Sequence, residues 1–290
     1  MQRVLAVIGG SGVYDIPELG NVREHTIDTP FGSPSDVIIE GVLGDVRCLF
    51  LPRHGRDHHR PPHQINYRAN ICALKKLGAE QVVSVSAVGS MREDIHPGDV
   101  VVVDQYIDLT KRRESTFFED GVVAHVSFAD PVCSALAAAA ARAVTQAGGR
   151  VHAGGSYVCI EGPQFSTRAE SLLYRSWGVS VIGMTAMPEA KLAREAELPY
   201  VTLAFATDYD CWHETHDAVS VDTVIRVLAQ NSALAKQALR GLCAALPDPR
   251  LSPASRALAA AILTPPDRVS TANRARLGWL LDPYLEHGTT

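Results

Sequence analysis

The sequence predicts a single α/β domain in which a mixed, largely parallel central sheet is flanked by helices. Short β-branched apolar runs alternate with segments of helical length, and most of these runs stop in a glycine or a polar loop. A chain of 290 residues that is 46% hydrophobic also has ample material for one large core.

The elements follow in order. Arg3 to Ile8 is an apolar run ending in Gly9-Gly10-Ser11-Gly12, a strand-then-glycine pattern. Val37 to Val42 and Val46 to Leu51 read as further strands. The second opens into Pro52 to His63, a cationic loop whose three prolines forbid continuous helix or strand. Ile65 to Leu77 places Ile71, Leu74 and Leu77 at helical spacing before a glycine stop at 78. Gln81 to Ala87 resumes a strand that breaks at Val88-Gly89-Ser90, and Asp99 to Val103 is another. Pro131 to Ala147 is an alanine-rich helix closed by Gly148-Gly149. Tyr157 to Ile160 leads into Glu161 to Ser166, and Val179 to Ile182 leads into Gly183-Met184-Thr185. Pro188 opens a helix over Glu189 to Leu198, Pro199 to Ala206 is a strand, and Val221 to Leu246 is a long helix. From 247 to 290 six prolines interrupt short apolar segments and the pattern weakens.

Bulk properties exclude several classes. A net charge of -5 argues against a nucleic-acid surface, so an anionic ligand needs a local cluster of donors. No apolar run is long enough to span a bilayer and the N-terminus carries no signal-like segment, so the expectation is a cytoplasmic protein without membrane contact. The six cysteines, at 48, 72, 133, 159, 211 and 243, contain no Cys-x-x-Cys pair, which speaks against a zinc site or a disulfide framework. The histidines of the 57–63 loop lack a carboxylate partner beyond Asp57 and read as surface residues rather than metal ligands.

The chemistry points to strand ends, where open α/β sheets bind ligands. Asp208 and Asp210 emerge where the apolar run 199–206 stops. Carboxylates there, among apolar neighbours, are expected to have raised pKa values and to hold a proton near neutrality. Asp210 reads equally well as a cap for the next helix. Gly9 to Gly12, Arg53-His54, Ser86-Ala87 and Met184-Thr185 together offer amides, a guanidinium and hydroxyls suited to a tetrahedral oxyanion, with phosphate as the leading choice. A dinucleotide fingerprint fits poorly, because Asp15 stands where a third glycine or alanine belongs, and no triphosphate-binding loop occurs.

Six motifs carry a resemblance: Gly9-Gly10-Ser11-Gly12, Thr29-Pro30-Phe31-Gly32, Pro52-Arg53-His54-Gly55-Arg56, Asn66-Tyr67-Arg68-Ala69-Asn70, the run Glu161 to Glu170, and Thr207 to Trp212. They occur in order between about residues 4 and 246, and the chain resembles the trimeric purine nucleoside phosphorylase family, most of all its branch acting on methylthioadenosine. The resemblance implies a nucleoside phosphorylase domain over 1–246; the tail over 247–290 carries little of it and reads from its own residues as a C-terminal helical extension packed on the body or on a neighbouring subunit. It implies phosphorolysis with no metal or organic cofactor, inorganic phosphate being a co-substrate. Phosphate would be bound by Ser11, Arg53, His54, Ser86, Thr185 and the Ala87 amide. Met184 would hold the ribose through its backbone, and Phe165 with Ser166 would border the purine. Asp208, supported by Asp210, would protonate the leaving base.

On spacing alone, Val221, Val224 and Ile225 are an ordinary core stripe of one helix face. The resemblance makes them an apolar pocket for the 5' substituent. It also makes His125 a residue reaching into the neighbouring subunit's site, hence a homotrimer. Some family members have threonine in place of Ser11 and Ser86, and serine keeps the hydroxyl. The alternatives are a methylthioinosine or general purine nucleoside phosphorylase, or a nucleoside-binding protein without turnover.

Overall fold

A computed structural model describes residues 2–10, 16–213 and 221–285, with side chains left undescribed over 221–230. Its strands are β1 (Arg3–Gly9), β2 (Gly20–His25), β3 (Ile38–Leu43), β4 (Val46–Pro52), β5 (Gln81–Ser90), β6 (Val100–Val103), β7 (Gln105–Asp108), β8 (Val151–Ala153), β9 (Ser156–Cys159), β10 (Val181–Gly183) and β11 (Tyr200–Asp208). The helices are α1 (Tyr67–Lys76), α2 (Ser134–Gln146), α3 (Arg168–Ser176), α4 (Glu189–Glu195), α5 (Val221–Ala244) and α6 (Thr271–Leu285).

All eleven strands among the described residues form one mixed sheet. At its centre β4, β1, β5 and β11 run parallel, with Gly9 beside Pro52, Ile8 beside Ser84 and Ala204 beside Ser86, so their carboxyl ends open on the same side. Beyond Ala87, β5 continues through Val88-Gly89-Ser90, where the sequence suggested a break. There β10 pairs with it antiparallel at Gly89 and Ser90, supplying the partner that holds the chain extended. β2 went unread because Asn21 to Glu24 is exposed and holds a single apolar side chain, Val22, as suits an edge strand.

Side-chain alternation along the central strands builds two apolar layers. In β1, Ala6 and Ile8 face a layer with Ile71 and Leu74 of α1 and Leu192 of α4, while Leu5 and Val7 face Leu136 of α2 and Leu239 and Leu242 of α5. This double coverage explains why β5 and β11 are apolar on both faces. The segment after 246 joins the first layer: Leu258, Val269, Leu277, Leu280 and Leu281 are all buried in it, and Trp279 meets Phe117 edge-on at 5.1 Å. Among the described residues no helix is long and apolar enough to cross a membrane.

α1 begins at Asn66, whose side chain accepts from the Ala69 amide, and α3 begins with a capping box formed by Thr167 and Glu170. Near the end of α4, Glu195 is 7% exposed and accepts from the Phe117 amide and the Thr116 hydroxyl, both at 2.7 Å. Burial pushes its pKa from 4.5 up to about 7.

The folded protein therefore binds a proton at Glu195 that the unfolded chain has released between these values. The associated stability is complete below pH 4.5, and about 3 kcal/mol is lost as pH rises through 7. The Glu195→Gln variant should flatten this part of the pH profile of the thermal midpoint between pH 5 and 8. An unchanged slope would show that Glu195 ionises normally.

Candidate active site

Asp208 lies at the last position of β11, across from Gly89 of β5, where the register slips after Ala206. Its Oδ2 accepts from the Thr207 hydroxyl at 2.7 Å and its Oδ1 from the Asp210 amide at 2.8 Å. Burial raises the pKa of Asp208, and the Asp210 carboxylate adds to the rise against those two hydrogen bonds. Asp210, 7% exposed with φ of 54°, accepts a hydrogen bond from the Ser171 hydroxyl of α3. Burial raises its pKa as well, with the Ser171 bond opposing. The Asp210 carboxylate ties the turn to α3, while the chain leading into α5 lies outside the described residues. Trp212 completes the clamp, its indole N–H donating to Ser90 O at 2.8 Å beneath the Arg175 guanidinium, which lies 3.8 Å from the ring centroid.

The hydroxyls of Ser86 and Thr185 meet at 3.1 Å, bringing the second half of β5 against the turn after β10. Ala87 follows Ser86 in β5, opposite Phe205. Met184 precedes Thr185, and its carbonyl accepts from Arg113 at 2.7 Å. Gly162 lies so close that a Cβ there would fall 2.5 Å from the Met184 sulfur, at a φ of 66° that favours glycine.

Arg53 is placed differently from a free anion fork. It is 2% exposed and pairs with Glu189 through Nε and Nη2, at 2.8 and 3.2 Å. Its other bonds go to Val85 O, Ile8 O and the Ser84 hydroxyl. One Nη1 hydrogen is left without a partner among the described residues. His54 follows, with Nδ1 at 2.9 Å from Arg60 O and its ring stacked on His58. Burial, then the Arg53 charge, lowers its pKa to about 4, so it is neutral at physiological pH. A carbonyl only accepts, so Nδ1 carries the hydrogen and Nε2 is a free acceptor site.

Phe165 is 51% exposed, and the buried Ser166 hydroxyl has no hydrogen-bond partner among the described residues. His125 is exposed, its amide bound to Ala261 O at 2.9 Å. No hydrogen bond or ring contact joins it to the strand-end cluster among the described residues. Ser11 lies outside the described residues, as do the side chains of Val221, Val224 and Ile225, although their backbone is helical. Among the described residues no three His, Cys, Asp or Glu side chains converge as metal ligands.

Sequence reasoning missed Arg113, Glu189 and Ser171. The first sits in the cationic run Lys111-Arg112-Arg113, which looks like solvated surface, and the other two have partners 136 and 39 residues away.

Comparison with known proteins bears on what such a cluster does. The family model of the phosphorylase superfamily matches residues 4–244. The S-methyl-5'-thioadenosine phosphorylase of Geobacter sulfurreducens is 54% identical over 286 residues, spanning 98% of this chain and 100% of that protein. A crystal structure of a methylthioadenosine phosphorylase from an antarctic soil metagenomic library superposes with a TM-score of 0.91 at 49% identity, over 97% of this chain and 100% of that one. The Schistosoma mansoni methylthioadenosine phosphorylase in complex with adenine follows, with a TM-score of 0.81 at 38% identity, over 84% and 92% of the two chains.

A Cβ on Gly89 would lie 3.0 Å from both Asp208 Oδ1 and an Ile182 methyl, and 3.2 Å from the Asp210 Cβ. Gly89→Ala should therefore displace the Asp208 carboxyl and lower turnover by about tenfold or more, with a small change in thermal midpoint. Wild-type turnover in this variant would show that the carboxyl is free to move without consequence.

Proposed function

This chain belongs to the phosphorylase superfamily, and from that membership we propose that it cleaves S-methyl-5'-thioadenosine with inorganic phosphate, giving adenine and 5-methylthioribose 1-phosphate. The carboxyl of Asp208 carries the reading. Cleaving the glycosidic bond builds positive charge on the sugar and negative charge on the base, so the site needs an anion on one side and a proton donor on the other. A buried acid with a raised pKa supplies the second requirement. Protonated Asp208 gives its hydrogen to purine N7 while its other oxygen accepts from the 6-amino group, an arrangement that suits adenine over a 6-oxopurine.

Phosphate is held by the Ser86 and Thr185 hydroxyls and the Ala87 amide, with Ser11 from the glycine turn. Arg53 contributes its remaining Nη1 hydrogen and a fixed positive charge beneath the site. Neutral His54 offers Nε2 as an acceptor for a protonated phosphate oxygen. Phe165 stacks on the base, the unpartnered Ser166 hydroxyl hydrogen-bonds it, and Asp210 fixes the orientation of Asp208. The Met184 backbone takes the ribose, and Val221, Val224 and Ile225 enclose the methylthio group.

Residues 1–246 form the phosphorylase domain and 247–290 an extension of it. The working enzyme is a cytoplasmic homotrimer that needs no metal or organic cofactor. Each His125 reaches a neighbouring site, which the exposed Val123 and Leu263 beside it support as a contact surface for a second copy.

Assays with methylthioadenosine, methylthioinosine, adenosine and inosine, each with and without phosphate, test the reading. Phosphate-dependent release of adenine from methylthioadenosine should dominate, and dominance of an oxopurine substrate would overturn it. In the same panel, Asp208→Asn should reduce kcat/KM on 6-aminopurines by about 10²–10⁴-fold and on 6-oxopurines by less. Equal losses would show that this residue does not select the base.

A further inference from the structure

Arg113 is nearly sealed from solvent, its side chain 1% exposed, in the segment between β7 and α2, which carries none of the groups assigned above to this subunit's own phosphate, ribose or purine. Its guanidinium nevertheless joins three of the segments that form the site. Nη1 lies 2.7 Å from Met184 O, 2.6 Å from Met187 O and 2.9 Å from the Tyr67 hydroxyl. Nη2 donates to Glu161 O at 2.6 Å, and Nε to the Glu161 carboxylate at 2.8 Å. Tyr67 in turn donates to Pro62 O at 3.0 Å, at the end of the loop that begins with Arg53 and His54. Glu161 opens the run that carries Phe165 and Ser166. Its second oxygen accepts from the Lys111 and Arg112 amides, so the ion pair also fixes the loop from which Arg113 comes.

We propose that Arg113 is a positioning residue for the reaction, its planar fork setting the Met184–Met187 backbone in register with both the histidine loop and the purine-side loop. Thr185 and the Met184 backbone lie inside the turn whose two carbonyls Arg113 holds. A shift in that turn moves the phosphate hydroxyl and the ribose contact together, relative to a base pinned by Asp208. Lysine cannot replace it, because a single ammonium has neither the planar fork nor the reach to hold carbonyls and a carboxylate on different sides. A displacement of even about 1 Å in such a site is worth up to about 10²-fold in rate.

This inference rests on the phosphorolysis reading, and its test separates the two. KM for methylthioadenosine, KM for phosphate, kcat and the thermal midpoint are measured for the wild type, Arg113→Lys, Tyr67→Phe and Glu161→Gln, and the binding of free adenine and of inorganic phosphate is measured by calorimetry. Arg113→Lys should raise both KM values by about tenfold or more and weaken adenine and phosphate binding in parallel. Tyr67→Phe, which keeps the ring and removes the oxygen, should raise KM for phosphate more than KM for the nucleoside, with little change in thermal midpoint. A folded Arg113→Lys protein with both KM values within about twofold of wild type, or one that loses only thermal stability, overturns the proposal. If Arg113→Lys does not fold, unchanged KM values in both Tyr67→Phe and Glu161→Gln overturn it. A wild type that turns over no nucleoside defeats the functional reading, and the calorimetric comparison then decides the role of Arg113.

Discussion

The buried ion pair between Arg53 and Glu189 is the constraint on which the rest of the structure depends. Both side chains are almost fully enclosed, and burying two charges is costly unless their remaining polar atoms are also satisfied. Here they are. Arg53, just past β4, bonds to the backbone of β1 and β5 and to Ser84, while Glu189, at the start of α4, accepts from the Tyr200 hydroxyl of β11 at 2.9 Å. Four parallel strands and one helix are thus held by a single pair of side chains immediately below their carboxyl ends. Removing one partner of such a pair typically costs about 3–5 kcal/mol, because the other is left buried and unpaired.

Fixed strand ends allow the chemistry. Ser86 of β5 and Thr185 after β10 meet because β10 pairs with the far end of β5. That same far end contains Gly89, whose missing side chain leaves room for Asp208 at the register slip of β11. Apolar layers on both faces keep water from the strands, and this raises the pKa of Asp208 and Asp210 without any strong basic partner. Lowering His54 depends on the same pair from the other direction, since the neighbouring Arg53 charge adds to burial in opposing a second proton on the ring. A carboxyl with a raised pKa and a neutral imidazole thus both owe their state first to burial, and the Arg53 charge acts on the imidazole alone.

Much of this was legible in the residues. The apolar run ending at Ala206 located the two aspartates at a strand end, because a strand covered on both faces must be apolar until it emerges. The threonine turn after β10 was legible for the same reason, whereas Ser86 lies inside β5. Long-range partners were not. Arg53 looked like a free anion fork because nothing local marks Glu189, far along the chain, as its partner. Arg113 was hidden more deeply, since most of its acceptors are backbone carbonyls, which have no signature in sequence. β7 and β8 were too short to show a period. α3 escaped although its capping box is written in Thr167 and Glu170, because its outward Leu172 and Leu173 blur the amphipathic pattern. The prolines after 247 break helical periodicity without preventing burial, so a segment that reads as irregular is part of the core.

The most direct measurement of the central claim is a crystal structure of the protein with adenine and phosphate bound together. The expected result is the Asp208 carboxyl in hydrogen-bond contact with N7 and the 6-amino group, with phosphate against the Ser86 and Thr185 hydroxyls on the opposite side of the sugar position. Adenine bound away from Asp208, or phosphate absent from those two hydroxyls, would contradict it.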